Sequence, residues 1–223
     1  HCRIGCRWRR IGVRSVAPGI LRAMGHASDQ RQAYSSALLE VGAHAPTLCE
    51  GWTAYDLASH SWVRERNVAS LLGIASKRFE KVTEDAMAAI REKMSFVEMA
   101  TRLRETPRTP LTLLPATDDL VNATEFLVHT EDVRRANGLP RRPIDASFED
   151  ALWKRLPVMG RLLFAKAPVG VLLERSDADA PPVRVKAGES TVTIVGRPSE
   201  LTLFAFGRQR AADVRLIGED AWV

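Results

Sequence analysis

A carboxylate and an imidazole lie four residues apart in the stretch 122–136, at Glu125 and His129. If this stretch is a helix, a spacing of four residues puts both side chains on one face, roughly 6 Å apart along the axis. Val121, Val128 and Asp132 fall on the same stripe. A carboxylate and an imidazole between valines suit a divalent metal held inside a helical bundle, and a solvated ion pair is the alternative interpretation.

A third ligand has to come from another segment, and His60 is the candidate. Thr53 and Asp56 match a capping box, which predicts a helix from there to about residue 74. On that helix His60 shares a face with Val63 and Leu71, so we expect its imidazole to point inward. The alternative interpretation is that His60 is a buried core residue and not a metal ligand.

The pattern of apolar residues predicts the elements that must position these side chains. Helices are expected over 28–41, 53–74, 83–94, 95–105 and 117–136, with a proline-rich loop at 106–116. Taken as four principal helices, they predict a bundle over 28–138, and bundle cores are where metal sites are built from facing helices. After Gly138 the composition changes, and a helix over 148–165 is expected to be interrupted near Pro157.

Short alternating runs at 169–173, 183–185, 191–195 and 213–217 predict strands, and 199–206 predicts a short helix. These elements predict a small α+β unit over 147–223. The expected fold class is therefore α+β, with a four-helix bundle followed by a small α+β C-terminal domain.

The charge of the chain argues against a nucleic-acid partner. The 223 residues carry a net charge of +5, and the pI is about 9.4. Six arginines fall within residues 1–23, so the rest of the chain holds 26 of the 32 basic residues against 27 acidic ones. No basic face remains to bind phosphates. No apolar run has the ~20 residues of a membrane span, so no membrane partner is expected.

Residues 1–27 are predicted to lie outside the folded body, as a basic disordered tail or as the product of a start set upstream of Met24. They lack the apolar run of a signal peptide. Cys2 and Cys6 have no matching pair downstream, and Cys49 is the remaining cysteine. A chain without a disulfide framework fits a reducing cytoplasm.

Three stretches of the body share a pattern with known proteins. The first is PTLCEGWT at 46–53 with Asp56 and His60; the second is EFLVH at 125–129 with EDVRRA after it; the third spans 196–208. They resemble the mycothiol-dependent maleylpyruvate isomerase-like proteins, a branch of the DinB-like bundles found in actinobacteria, and specifically a subfamily called only metal-binding. The resemblance covers roughly residues 30–218.

The resemblance implies a divalent metal, foremost Zn²⁺, held by His60, Glu125 and His129. Two imidazoles and one carboxylate leave a coordination position open, which is typical of a catalytic site. In the isomerase branch that position would meet the thiol cofactor mycothiol. Relatives often carry a second histidine directly after the motif histidine, where this chain has Thr130. On a helix Thr130 points about 100° away from His129, so the change is expected to affect surrounding contacts more than the metal.

Four further residues have a functional and a structural interpretation. Arg208 is the candidate catalytic and cofactor-binding residue, for an anionic cofactor or substrate, or else a surface arginine. Cys49 is a nucleophile, a fourth ligand or a small buried hydrophobe. Asp56 and Asp132 orient ligand imidazoles, or serve as a helix cap and as an ion-pair partner of a nearby arginine.

Two functions follow from these residues. The leading hypothesis is a metal- and mycothiol-dependent enzyme that acts on a small electrophilic metabolite by isomerisation or thiol transfer. The alternative is a non-catalytic metal-binding sensor or stress-response module on the same bundle, and a bundle that has lost its metal is a third possibility. The partners expected are a small-molecule substrate and a thiol cofactor, in a monomer or homodimer.

Overall fold

The computed structural model describes residues 25–66, 80–110 and 112–218. The predictions for residues 1–24, for Leu71, and for the end of the second helix lie outside this part of the chain. No helix among the described residues has the length and hydropathy of a membrane span.

Five helices precede residue 138 in the described part: α1 (His26–Val41), α2 (Ala54–Arg66), α3 (Glu80–Lys93), α4 (Phe96–Arg102) and α5 (Pro115–Ala136). Helix α1 packs along α5 and against α4, while α2 packs against α3 and α4. Their apolar faces meet in one core, whose largest buried members are Tyr34, Leu38, Leu57, Met99, Leu103 and Phe126. This arrangement holds α2 and α5, which carry the candidate ligands, in one helical unit.

The start of α2 is fixed by the predicted capping box. The Thr53 backbone N–H donates to Asp56 Oδ2 at 2.9 Å, and the Asp56 N–H donates to Thr53 Oγ1 at 3.3 Å. This reciprocal pair satisfies N–H groups that have no partner within the helix. Helix α5 begins two residues before its predicted start because Pro115 takes the first helical turn, where a missing N–H costs nothing.

The C-terminal part contains α6 (Ala146–Leu163), β1 (Gly170–Arg175), β2 (Val183–Lys186), β3 (Thr191–Gly196), α7 (Pro198–Ala205) and β4 (Arg215–Ile217). The expected interruption of α6 near Pro157 is wrong, because the helix runs through it. Pro157 has no backbone N–H, so one hydrogen bond of the helix is missing. Leu156 and Gly160 on either side are buried against the sheet, and this packing stabilises the helix despite the missing bond.

The four strands form a mixed sheet in the order β2-β1-β3-β4. The β1–β3 pair is parallel, and the other two pairs are antiparallel. The connection from β2 to β3 passes Gly188, where an added Cβ would lie 2.3 Å from the Gly170 nitrogen. This close approach of two backbones requires glycine.

Helix α6 links the two parts of the molecule. Its first turns, at Phe148 and Leu152, are buried with Ala27 of α1 and Leu127 of α5, whereas Leu156 belongs to the core beneath the sheet. The coarse fold class, α+β with a small four-stranded sheet, is confirmed. The count of four bundle helices and the boundaries 28–138 and 147–223 stay predictions.

Candidate metal centre

Glu125 and His129 face each other on α5 as their spacing predicts. The helix buries Val128 and Val133 around them, and His129 is only 9% exposed. His129 Nε2 lies 3.4 Å from Glu125 Oε2, which is an ion pair rather than a hydrogen bond. The Glu125 side chain is 29% exposed, so the pair has one side open to solvent. The helix therefore offers one imidazole nitrogen and one carboxylate oxygen at a common point.

His60 approaches this pair from α2. Its ring centroid lies 5.5 Å from that of His129, edge to face, and 5.2 Å from that of Trp52. His60 is half-buried and Val63 is buried, as the shared helix face predicts. Among the described residues, neither His60 Nδ1 nor His129 Nε2 has a hydrogen-bond partner, although both atoms are buried. Buried polar atoms are rarely left unpaired, so these two nitrogens are available as candidate metal ligands.

The charges of the three groups are set by burial and by each other. Burial lowers the pKa of His60 to about 4, and His129 adds to the effect, so His60 is neutral at pH 7. Burial raises the pKa of Glu125, but the contact with His129 and the charge of Arg64 outweigh it, and that pKa is about 2. Glu125 is therefore an anion at pH 7, and a neutral imidazole beside an anion suits a divalent cation.

The other ring nitrogen of His129 faces a second group of polar side chains. His129 Nδ1 lies 3.0 Å from Asp132 Oδ2, and Cys49 Sγ lies 3.4 Å from the same oxygen. Burial lowers the pKa of His129, but contacts with Asp132, Cys49 and Glu125 outweigh it and hold that pKa well above its usual value. In the described part of the chain, only Cys49, His129 and Asp132 bring three ligand atoms within 4.8 Å of one another.

Each ring nitrogen of His129 therefore faces its own group of candidate ligands, and the described ligand atoms of His60, Glu125 and His129 do not all lie within 4.8 Å of one another, as those of the Nδ1 group do. Both Asp132 oxygens already accept hydrogen bonds from Arg208, at 2.8 and 2.6 Å, and Arg208 Nη2 contacts Cys49 Sγ at 3.3 Å. A dication on the Nδ1 side would lie beside this guanidinium and be repelled by it. A metal there would also leave the buried nitrogens of His60 and His129 unpaired.

Asp132 contacts the His129 ring, while its role as an orienting carboxylate stays a prediction. It is fully buried, and its ion-pair partner is Arg208 rather than Arg134 or Arg135. By accepting a hydrogen bond from Nδ1–H, Asp132 would leave the Nε2 lone pair of His129 free for a ligand. Asp56 has a different role, because it bonds Thr53 and Arg91 at the start of α2.

Arg208 is tied to the helical part rather than extended into solvent. It follows Gly207, whose φ of +86° turns the chain back after α7. Besides contacting Asp132 and Cys49, the guanidinium donates to the Phe206 carbonyl at 2.6 Å. The same side chain borders a cavity of about 570 Å³ that also contains Cys49. A role for Arg208 in binding an anionic cofactor stays a prediction, since most of its donors are engaged within the protein.

Sequence reasoning missed Arg64, which comes one turn after His60 on α2. Arg64 Nη2 lies 3.7 Å from Glu125 Oε1, and the side chain is only 10% exposed. The i, i+4 spacing from His60 was a usable signal, because such a residue shares the face of the candidate ligand. Thr130, in place of a second histidine, is buried and donates to the Phe126 carbonyl at 2.5 Å. Thr130 therefore hydrogen-bonds within α5 rather than to a candidate metal ligand.

A cavity of about 580 Å³ between α5 and α7 is a separate feature. Five arginines line it, but four of them pair with acids, so it is close to charge-balanced and carries no candidate metal ligand set. The pairs are Arg135 with Glu131 and Glu200, Arg141 with Asp213, Arg142 with Glu131, and Arg197 with Glu149.

Comparison with known proteins gives a match in structure only. No family model and no curated protein sequence matches the chain. A solved structure of the mycothiol-dependent maleylpyruvate isomerase is similar, with a TM-score of 0.56 and 17% identity over 89% of this chain and 91% of that chain. The structure of a histidine-to-alanine mutant of that enzyme has a TM-score of 0.55 and 18% identity, over the same fractions of the two chains. At this identity the likeness shows the fold alone, and the resemblance seen in the sequence is confirmed at that level: the chain has the fold of the mycothiol-dependent maleylpyruvate isomerase.

Proposed function

We propose that this protein binds one divalent metal ion, foremost zinc, through His60, Glu125 and His129. With mycothiol as thiol cofactor, it acts on a small electrophilic metabolite by isomerisation or thiol transfer. The observation that carries the proposal is the pair of buried imidazole nitrogens, without hydrogen-bond partners in the described part, beside an ionised carboxylate. The fold of a mycothiol-dependent isomerase supports the choice of cofactor.

The donor set suits a reactive metal more than a structural one. With a metal in place of the proton on His129 Nε2, two imidazoles and one carboxylate would leave a zinc ion one open position. When bound, zinc would supply Lewis-acid chemistry, holding a thiol as thiolate or polarising a carbonyl. The partly exposed side chain of Glu125 marks the side from which such a ligand reaches the centre.

The residues around the ligands hold the centre in one arrangement. Asp132 accepts a hydrogen bond from Nδ1–H of His129 and so fixes the ring with Nε2 towards Glu125. Arg208, in the C-terminal part of the chain, donates hydrogen bonds to both oxygens of Asp132. The ligands of the helical part thus depend on a contact that the C-terminal part supplies.

Metal content of the purified full chain tests the ligand set. We expect close to one zinc per chain by elemental analysis, and loss of most of it in Glu125→Ala and His60→Ala. Cys49→Ser is the matched control, because Cys49 belongs to the competing set on His129 Nδ1. Zinc retained in Glu125→Ala and lost in Cys49→Ser would overturn the proposal.

Binding of the thiol cofactor tests the enzymatic half. Calorimetry should show mycothiol binding to the zinc-loaded chain, and at least tenfold weaker binding to the chelator-treated chain. Turnover of maleylpyruvate-like substrates should require both metal and thiol. Equal thiol binding with and without zinc would contradict a metal-bound thiol. Sites with nitrogen and oxygen ligands bind several divalent ions. The metal found in a purified sample therefore also depends on which ions were available.

A non-catalytic metal module is the second candidate, and the position of Cys49 favours it. Cys49 Sγ lies within 4.8 Å of the ligand atoms of His129 and Asp132, and a Cys49 thiolate that joined the metal as a fourth ligand would leave it with protein ligands only. A thiolate-to-cobalt charge-transfer band in the cobalt-loaded chain, absent from Cys49→Ser, would favour this module. A cytoplasmic location, the lack of a nucleic-acid partner and a monomeric or homodimeric state remain predictions from the sequence.

A further inference from the structure

We propose that Arg64 is a positioning residue for Glu125, and that a buried polar chain from Arg31 holds Arg64 in place. The inference rests on the proposed metal site and adds a residue to it. In this arrangement Arg64 takes one oxygen of Glu125, so that the carboxylate presents its other oxygen alone at the metal.

The two oxygens of Glu125 already face different partners. Oε1 lies 3.7 Å from Arg64 Nη2, while Oε2 lies 3.4 Å from His129 Nε2. The Arg64 guanidinium repels a cation from the first oxygen and so favours the second as the metal ligand. Arg64 would therefore bias Glu125 towards binding a metal through one oxygen rather than two.

Arg64 is itself fixed by contacts that do not involve the candidate ligands. Nη1 donates to Asn122 Oδ1 at 2.7 Å, and Nη2 donates to the Val121 carbonyl at 3.0 Å. Both acceptors belong to α5, one turn before Glu125. Two donors anchored on the helix that carries Glu125 leave the guanidinium little freedom to turn away from it.

Asn122 is held in turn by a buried ion pair. Its Nδ2 donates to Asp118 Oδ1 at 2.6 Å, and Arg31 donates to both Asp118 oxygens, at 2.6 and 2.7 Å. Arg31 is fully buried, and its Nε also donates to Glu65 Oε1 at 2.9 Å. Buried groups that are hydrogen-bonded to one another in this way have few alternative arrangements. The chain from Arg31 to Arg64 therefore links the core between α1, α2 and α5 to the candidate ligand.

A role through charge alone is the competing explanation, and lysine separates the two. Lysine keeps the positive charge at position 64 but lacks the planar set of donors that reaches Asn122, Val121 and Glu125 together. Positioning predicts that Arg64→Lys and Arg64→Gln behave alike. A charge effect predicts that Arg64→Lys behaves as wild type.

The experiment uses the full chain loaded with Co²⁺, whose absorption spectrum reports coordination number. We expect Arg64→Lys, Arg64→Gln and Asn122→Ala each to weaken Co²⁺ affinity by about 10- to 100-fold. Each should also lower the visible molar absorptivity, as a second carboxylate oxygen joins the metal. Arg91→Lys is the matched control, because Arg91 pairs with Asp56 at the start of α2 and not with a candidate ligand. Circular dichroism checks that every variant is folded.

A second readout needs no metal. In the metal-free chain, the ¹⁵N chemical shift of His129 Nε2 should change in Arg64→Lys and Asn122→Ala, because Glu125 turns away. The inference is overturned if Arg64→Lys retains wild-type affinity, absorption spectrum and ¹⁵N shift. A wild-type chain that binds neither zinc nor cobalt would instead overturn the proposed function, and the ¹⁵N comparison would still decide whether Arg64 orients Glu125.

Discussion

At the scale of single residues, the two nitrogens of His129 have different surroundings. Nε2 faces Glu125, with the ring of His60 packed edge to face against that of His129, while Nδ1 faces Asp132. The i, i+4 spacing predicted the contact with Glu125, and the i, i+3 spacing is compatible with the contact to Asp132. Neither spacing indicates which ring nitrogen of His129 faces which carboxylate. That depends on the rotation of the His129 ring, which Asp132 and Arg208 set.

Asp132→Asn tests this division. An amide can present its NH₂ to Nδ1 and favour the other tautomer, in which Nε2 carries the proton. We expect zinc affinity to fall about 10- to 100-fold, measured by competition with a chromophoric chelator. Asp56→Asn is the control, since Asp56 bonds the start of α2 and Arg91. It should retain zinc affinity and lose about 1 kcal/mol of stability; zinc affinity lost equally in both variants would refute an orienting role specific to Asp132.

At the scale of elements, the packing of α6 on the sheet depends on a missing side chain. A Cβ on Gly160 would lie 2.8 Å from Val185 Cγ1. Glycine is a poor helix former, so its presence inside α6 is explained by this close contact with β2. The sequence signalled the strand and the helix, but their distance of approach follows only from the packed structure.

Gly160→Ala should therefore destabilise the protein by about 1–3 kcal/mol, measured by urea unfolding, despite the better helix propensity of alanine. Val158→Ala on the exposed face of the same helix should change stability by less than about 0.5 kcal/mol. Adding Val185→Ala to Gly160→Ala should cost less than the sum of the two single changes, because it opens the space that the new methyl needs. Additive effects would show that the contact is not the cause.

At the scale of the whole molecule, an ion pair joins the helical part to the C-terminal part. Arg135 of α5 donates to both oxygens of Glu200 on α7, at 2.9 and 2.6 Å, and both side chains are 11% exposed. Burial raises the pKa of Glu200, but hydrogen bonds from Arg135 and from the Asp213 backbone outweigh it and leave that pKa below 4.5. The ionised form of Glu200 therefore stabilises the folded state.

Glu200→Gln should lower the free energy of unfolding by about 1–2 kcal/mol at pH 7. Because the unfolded chain binds the proton more tightly, the stabilisation is present above pH 4.5 and is lost as the pH falls through the lower folded pKa. The difference between variant and wild type should shrink over that window in urea unfolding. Asp213→Asn removes the exposed pair with Arg141 and should cost less than about 1 kcal/mol. A Glu200→Gln difference that persists unchanged below the window would contradict the ionic explanation.

The sequence by itself determined the local structure and the local half of the candidate site. Among the residues that the structure describes, periodicity predicted the helices and strands to within a few residues, and the spacing of Glu125 and His129 put them on one helix face, because both depend only on backbone geometry. His60 was reached through its inward face and through a family resemblance. Tertiary structure decided which side chains surround each ring nitrogen of His129. The contacts of Asp132 with Arg208 and of Glu125 with Arg64 span 76 and 61 positions of the chain. No local pattern encodes contacts between such distant positions, since they exist only once α2, α5 and the segment after α7 pack together.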